Sequence, residues 1–173
     1  SSESFALSVS VGIGTGDTQM ANETTENEGP LVQSWTVEQL FHSHFSLGVE
    51  HIRSFTTGMI SSASMTGIMM RYYLNSAPTK AISVEDLSTD TLVNRDIGYF
   101  FAVGGGMGQS SRLPNDVGLS SNAAGLYVSI RAGADMPLEG RWGLRAELIY
   151  ANTMVGKGHL NMHSIGGALF WMF

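Results

Sequence analysis

Residues 125–151, GLYVSIRAGADMPLEGRWGLRAELIYA, contain two segments in which the side chains alternate between two kinds of environment. In the first segment large apolar residues such as Leu126 and Val128 alternate with polar residues such as Ser129 and Arg131, and the second segment repeats the pattern. A period of two is the period of a β-strand. Residues 137–140 (PLEG) lie between the segments and favour a tight turn. The stretch therefore predicts an antiparallel hairpin.

The same alternation recurs along the rest of the chain. Residues 32–54 contain either one long strand or two strands with a break near Ser43. A bacterial barrel with both ends in the periplasm has an even number of strands, which favours the break. The resulting map has eight strands: 5–14, 32–42, 44–54, 64–75, 96–109, 124–136, 141–153 and 161–173.

Each predicted strand has one face of large apolar residues and a second face of charged, hydroxyl-bearing and glycine residues. The second face is unsuited to the dry core of a soluble sandwich, but it suits the interior of a narrow barrel whose apolar face contacts lipid. Apolar residues make up 43% of the chain and charged residues 14%, against about 25% in ordinary soluble domains. We therefore predict an all-β fold, a single eight-stranded antiparallel up-and-down transmembrane β-barrel over residues 1–173.

Composition excludes several classes of function. The formal net charge is −6, and no Lys/Arg cluster is present, which argues against nucleic acid as a partner. The chain has no cysteine, so disulfides, thiolate nucleophiles and Cys-based zinc sites are absent. The amino-terminal residues lack the basic and apolar regions of a signal peptide, and we expect that such a peptide has been removed.

Seven charged residues fall on the predicted inner faces. We predict an internal salt-bridge network, because buried charges are costly unless they are paired and an eight-stranded interior is just filled by side chains. A polar conduit or a catalytic carboxylate is the alternative interpretation. The seven residues are Glu38, Glu50, Arg71, Arg131, Asp135, Arg145 and Glu147.

Histidines beside the predicted break suggest a different chemistry. His42, Ser43 and His44, with Glu38 and Glu50 on the adjoining strands, are residue types used by hydrolases and metal sites. The break places the histidines in a turn, where they do not share one face of a continuous strand. We therefore predict no catalytic residue, no cofactor and no metal site.

Two residue groups are assigned to packing. Gly104, Gly105 and Gly106 lie within a strand and are followed by neither Lys-Ser/Thr nor a helix pattern, so relief of crowding against a neighbouring Arg or Tyr, or a bend in the barrel, is favoured over a phosphate loop. Met69 is read as the one inward-facing residue among Met65, Met69 and Met70. Six aromatic residues near strand ends are expected to form two girdles at the membrane surfaces: Trp35, Tyr72, Tyr99, Trp142, Tyr150 and Trp171.

The alternation over the whole chain, with RYYL (71–74), GYFFAVGGGMG (98–108) and the terminal ALFWMF (168–173), resembles the OmpA/OmpX/Opa-type eight-stranded outer-membrane barrels. The resemblance implies the outer membrane of a Gram-negative bacterium. It also implies that Leu169, Trp171 and Phe173 form the signal that the barrel-assembly machinery reads. Gly167 departs from that pattern, in which a larger apolar residue is usual.

The resemblance implies a structural or surface-interaction protein, adhesin-like or antigen-like, that acts through its extracellular loops. The loops are expected near residues 15–31, 55–63, 109–123 and 154–160. Its expected partners are outer-membrane lipid and lipopolysaccharide, the assembly machinery, and host or envelope ligands. A narrow channel for ions or small solutes is the alternative.

A lipid A-modifying enzyme is disfavoured, because the deacylase barrels need a histidine and a serine close together on the outer face. His163 and Ser164 are adjacent in sequence and therefore point to opposite faces of their strand. The palmitoyltransferase barrels need a hollow apolar interior, whereas this one is charged. Residues 76–95 are placed on the periplasmic side, with either a short helix near Ser83 or a strand outside the map.

Overall fold

The computed structural model describes residues 7–20, 27–41, 44–55, 61–75, 80–81, 91–92, 97–112, 121–138, 142–155 and 158–172. In these ranges eight long antiparallel strands close into a barrel, and two short strands form a separate small sheet. The strands are β1 Leu7–Met20, β2 Asn27–Leu40, β3 Phe45–Phe55, β4 Ser61–Tyr73, β5 Lys80–Ala81, β6 Thr91–Leu92, β7 Gly98–Arg112, β8 Ser121–Pro137, β9 Trp142–Val155 and β10 Gly158–Met172.

The barrel has up-and-down topology. Each long strand pairs with its neighbours in the sequence, apart from β4, which pairs with β7 across the β5–β6 insertion. β1 pairs with β10 from Ser8 opposite Met172 to Met20 opposite Leu160, so the sheet has no free edge. The predicted eight-stranded antiparallel barrel is confirmed.

Alternation along the strands separates an apolar outer surface from a polar interior. Val11 and Ile68 are 64% and 68% exposed on the outside. On the same strands, Ser10 and Arg71 are buried inside. An exposed belt of large apolar residues is what hydrocarbon requires of a transmembrane barrel, because side chains there face lipid.

The break between the second and third strands lies where strand parity predicts it. β2 ends at Leu40, β3 begins at Phe45, and the backbone N–H of Phe41 donates to the carbonyl of Phe45 over 3.1 Å. Residues 42 and 43 lie outside the described residues. We call this end of the barrel, which also holds the connection between β8 and β9, the turn end.

The predicted loops at the other end, which we call the opposite end, were too long. β1 continues to Met20 and β2 begins at Asn27, so strand replaces much of the loop predicted over residues 15–31. Likewise β9 and β10 leave only residues 156–157 between them, in place of a loop over 154–160. Backbone groups still pair beyond the bilayer, where the side chains become polar, so side-chain polarity marks the solvent and not the end of a strand.

The insertion between β4 and β7 contains strands outside the eight-strand map, which was one of its two predicted alternatives. Lys80 pairs with Leu92 and Ala81 with Thr91 in a ladder outside the barrel. Residues 82–90, where the short helix was expected near Ser83, lie outside the described residues. In the described ranges, no helix is long and apolar enough to cross a membrane.

Candidate functional site

The candidate site is the barrel interior, where all seven predicted inward charges lie. Each is at most 6% exposed, and they form two ion-pair clusters. The turn-end cluster contains Glu38, Arg71, Asp135 and Arg145. The central cluster contains Glu50, Arg131 and Glu147.

In the turn-end cluster, each carboxylate accepts two hydrogen bonds from one guanidinium. Arg71 donates to Glu38 from Nε over 2.8 Å and from Nη2 over 3.1 Å. Arg145 donates to Asp135 from Nε over 2.6 Å and from Nη2 over 3.0 Å. Arg145 Nη1 also lies 3.5 Å from Glu38 Oε2, which links the two pairs across the barrel. Two-point contacts of this kind fix both partners in position.

Hydroxyl groups occupy the remaining acceptor positions of the turn-end carboxylates. Ser46 donates to Glu38 over 2.7 Å and Thr36 donates to it over 3.0 Å. Tyr73 donates to Asp135 over 2.7 Å. A buried charge is tolerated when its lone pairs are satisfied in this way.

In the central cluster, one guanidinium joins two carboxylates. Arg131 Nε and Nη2 both lie 3.0 Å from Glu50 Oε2, and Nη1 donates to Glu147 Oε1 over 3.0 Å. Tyr127 donates to Glu50 over 3.2 Å, and Ser129 also donates to Glu50. The central cluster thus connects β3, β8 and β9 through the middle of the barrel.

Gly104 of β7 leaves the space that Glu50 occupies. A Cβ atom on Gly104 would collide with the Glu50 carboxylate and with Ser129 Oγ. Gly105 faces outward, and a Cβ there would meet only the carbonyl oxygen of Tyr127, at 3.3 Å. Relief of crowding against a neighbouring side chain is therefore confirmed at Gly104, but the residue that needs the space is a glutamate, not the expected Arg or Tyr.

Aromatic rings close the interior between the turn-end cluster and the turn end of the barrel. Phe100 lies under both arginines, 4.1 Å from Arg71 Cζ and 5.3 Å from Arg145 Cζ. Phe170 lies 5.5 Å from Arg145 Cζ and packs against the position where Gly143 has no side chain. Cation–π contacts stabilise a guanidinium that has been removed from water.

A buried apolar layer lies on the other side of the central cluster, and sequence reasoning missed it. Met65 faces inward there, as Met69 does, so the prediction that Met69 alone points inside is wrong. Residues four positions apart share a face of a strand, which was the available signal. The layer consists of Val32, Ile52, Met65, Tyr127, Ile149, Ala151 and Met162.

The histidine-based alternatives find no support in the described residues. His44 Nδ1 contacts the carbonyl of Tyr73 at 2.8 Å in the turn, and His42 and Ser43 lie outside the described ranges. His163 is exposed on the outer face while Ser164 is buried inside, as predicted. No group of three potential metal ligands occurs among the residues that the structure describes.

The last strand shows part of the predicted assembly signal. Leu169 is 52% exposed on the outer face. Trp171 is half-buried and packs edge-to-face on Trp142, with ring centroids 4.1 Å apart. Phe173 lies outside the described residues. The role of these three residues in assembly stays a prediction.

The six aromatic residues predicted as girdles all belong to strands of the barrel. Tyr72, Tyr99 and Trp142 are exposed on the outer face near the turn end. On β2, Trp35 stacks on His51 with ring centroids 5.6 Å apart. Tyr150 on β9 likewise contacts His163 on β10, with ring centroids 4.9 Å apart. Amphipathic rings favour the surfaces of a membrane, and the arrangement of these six in two girdles stays a prediction.

The chain is similar to known proteins in its fold but not in its sequence. No protein-family model and no curated protein sequence matches the chain. The solved structure of Neisserial surface protein A (NspA) matches with a TM-score of 0.74 and 9% identity, over 97% of this chain and 99% of that one. Ail, the attachment invasion locus protein of Yersinia pestis, matches with a TM-score of 0.58 and 9% identity, over 96% and 99% of the two chains.

A third solved structure, the N-terminal β-barrel domain of OprF from Pseudomonas aeruginosa, matches with a TM-score of 0.57 and 10% identity, over 95% of this chain and 97% of that one. Identities this low establish the fold alone. The likeness extends over nearly the whole chain, and it agrees with the closed strand order and the apolar outer belt. The chain therefore has the fold of the eight-stranded outer-membrane β-barrels, and the resemblance seen in its sequence is confirmed at that level.

Proposed function

We propose that this protein is an integral barrel of the Gram-negative outer membrane with a closed interior, and that it acts as a structural and surface-interaction protein through the connections at its opposite end. The observation that supports this most is the pair of ion-pair clusters across the interior. Three guanidinium groups and four carboxylates fill the cross-section where a conduit would have to run.

The packing around the clusters supports a closed barrel over a channel. A cavity beside Glu147, bordered by Ser34 and Ser164, measures about 10 Å³, which is about the space of a single water molecule. Beyond the clusters, the aromatic rings at the turn end and the apolar layer near the opposite end offer few polar groups to passing ions. A rigid, filled barrel is suited to displaying loops.

The proposed orientation places the opposite end outside the cell. Outer-membrane barrels have short periplasmic turns, and the connections between β2 and β3 and between β8 and β9 each span four residues, whereas the insertion between β4 and β7 makes the third connection at the turn end longer. The residues between strands at the opposite end are 21–26, 56–60, 113–120 and 156–157. They are the proposed interaction segments.

An enzymatic role is not part of the proposal. The buried carboxylates of both clusters are held by arginines, and His163 and Ser164 lie on opposite sides of the barrel wall. A hydrolytic site requires a nucleophile and a base within hydrogen-bond reach of each other. No such pair is formed by these residues.

The acidic charge of the segment between β1 and β2 indicates the class of surface partner. Glu23 and Glu26 lie between β1 and β2, and Glu28 follows them in β2. One Ail structure contains the heparin analogue sucrose octasulfate, a polyanion. The acidic segment of this chain would repel such a ligand, so we propose a cationic surface as the partner.

Thiol labelling of intact cells tests the proposed display, because the chain has no cysteine of its own. Asp116→Cys introduces a thiol between β7 and β8, and Glu139→Cys introduces one between β8 and β9. A membrane-impermeant maleimide should label the first variant in intact cells and the second only after the outer membrane is permeabilised. Labelling in the reverse order would overturn the orientation and, with it, the proposed function.

Binding of the partner class can be measured on the same cells. Cells that display the chain should adhere to an amine-coated surface more than to a heparin-coated one. The triple variant Glu23→Gln, Glu26→Gln, Glu28→Gln should lose that preference while its surface level stays unchanged. Equal adherence by the triple variant would refute the cationic partner.

A further inference from the structure

A groove crosses the lipid-facing surface of the barrel and has a volume of about 1030 Å³. One of its walls is a row of large side chains that includes Val11, Leu169, Leu144 and Met136, which are neighbours across β1, β10, β9 and β8. The adjacent row is made of small residues where it crosses β10 and β9. There Gly167 pairs with Ala146, and both are exposed.

The groove runs diagonally through the height of the membrane. Strands of a barrel are tilted, so a row of cross-strand neighbours climbs from one end of the barrel to the other. At its lower end the groove reaches Met136, next to the last residue of β8 at the turn end. At its upper end it reaches His51 and Arg53 on β3, near the opposite end.

Polar residues cluster at that upper end. Arg53 pairs with Gln33 across β2 and β3, and both side chains are exposed on the outer face. His51 lies beside them, stacks on Trp35 and shares a hydrogen bond of 2.8 Å with Thr66. An aromatic residue next to a cation is typical of the headgroup level of a membrane.

Arg53 is the only charged residue on the outer face among those side chains that the structure describes. It forms no ion pair with another described residue; its Cζ lies over the Phe55 ring, 4.5 Å from the centroid. The other arginines whose side chains the structure describes, Arg71, Arg131 and Arg145, are buried and paired inside. A lone cation that faces lipid is costly unless an anion meets it, and phosphate is the anion of a membrane surface.

We propose that this groove binds one molecule of the phosphorylated, multiply acylated glycolipid of the outer leaflet, lipid A. An acyl chain lies along the groove against Gly167 and Ala146, and a phosphate group meets Arg53 and Gln33. The proposal rests on the proposed function, because the outer leaflet meets Arg53 only if the opposite end faces out of the cell.

Selectivity follows from the polar end and from the shape of the groove. Hydrocarbon tails surround every part of the barrel, so burial of apolar area does not favour one lipid over another, whereas close packing and a charge-assisted hydrogen bond do. Gly167, which departs from the pattern of large apolar residues in the last strand, provides that close approach. A Cβ on Gly167 would have only an ordinary contact of 3.5 Å, with the carbonyl oxygen of Arg145, so the space is open to an occupant.

The test is a lipid titration of the purified full chain in detergent, followed by native mass spectrometry. The probe is hexa-acylated lipid A with both phosphates, and the comparison lipids are the same molecule without phosphates and phosphatidylglycerol. One bound lipid A should be retained, and both Arg53→Gln and removal of the phosphates should weaken binding about fivefold. Gly167→Leu should abolish retention by filling the groove. Gly105→Leu, which adds the same side chain to an outward glycine outside the groove, should retain the lipid.

Unchanged retention by Gly167→Leu, equal retention of the dephosphorylated lipid, or equal retention of phosphatidylglycerol would each overturn the proposal. So would a stable dimer that excludes added lipid, because a second copy would then occupy the groove. If lipid A is not retained but the maleimide labels Asp116→Cys in intact cells, the lipid site alone would be overturned. If the maleimide labels Asp116→Cys only after the outer membrane is permeabilised, the proposed function would be overturned, whatever the titration shows.

Discussion

Glu38→Gln tests the turn-end cluster, because it removes one charge without changing the size of the side chain. Glu38 accepts two hydrogen bonds from Arg71 and lies 3.5 Å from Arg145. Arg71 is fully buried, and the described residues give it no other ion-pair partner. Removing one member of a buried pair leaves an uncompensated charge and typically costs about 3–5 kcal/mol. We expect the free energy of unfolding to fall by about that amount.

The measurement is equilibrium unfolding in urea, with the chain reconstituted in lipid vesicles and followed by tryptophan fluorescence. Arg71→Met should lower the free energy of unfolding less than Glu38→Gln does, because Glu38 would keep Arg145, Ser46 and Thr36 as partners. The double variant should be more stable than Glu38→Gln alone, because the orphaned charge is then absent. A loss below about 1 kcal/mol for Glu38→Gln, or additive losses in the double variant, would show that the cluster does not hold the barrel together.

Three further changes follow from the same contacts. Gly104→Ala should displace the Glu50 carboxylate and lower the free energy of unfolding in urea by about 1–3 kcal/mol, whereas Gly105→Ala on the outer face should lower it far less; equal losses would refute the role given to Gly104. Tyr73→Phe should cost about 1–3 kcal/mol in the same assay, because Asp135 loses a buried donor, and a neutral result would mean that this hydrogen bond is dispensable. Trp171→Ala and Trp142→Ala remove the same contact between two rings. If Trp171 belongs to an assembly signal, only Trp171→Ala should lower the fraction of assembled barrel in cells, which heat-modifiable migration on gels measures. Equal assembled fractions in the two variants would show that Trp171 contributes packing alone.

Alternation predicted the faces of the strands but not the partners of the charges. Arg71 and Glu38 both point inward by parity, yet their contact spans the intervening strand β3, and Arg145 reaches Glu38 across the barrel. Such contacts depend on the stagger between strands and on the barrel radius. Neither quantity can be inferred from the alternation of residues along a single strand. The pairing of inner charges could therefore be expected from their cost, but the two separate clusters could not.

The lengths of the strands were harder to predict than their number. Parity and the turn near Ser43 predicted eight strands, but the acidic residues Asp17 and Glu28 suggested a loop, and the structure places both in strands. Polar side chains suit a strand once it has left the bilayer, because its backbone is still paired. The apolar layer around Ile52 and Met65 was missed for a related reason, since the inner face was expected to be polar throughout.

Single-channel recording in planar lipid bilayers tests the central claim, that ion pairs close the interior, most directly. The purified chain should insert without sustained, discrete openings, because Arg71, Arg131 and Arg145 lie across the path with their carboxylate partners. Steady discrete openings whose conductance changes in Arg145→Gln or Glu147→Gln would contradict the claim. Ions would then pass through the clusters, and the narrow channel would replace the closed barrel as the function of this protein.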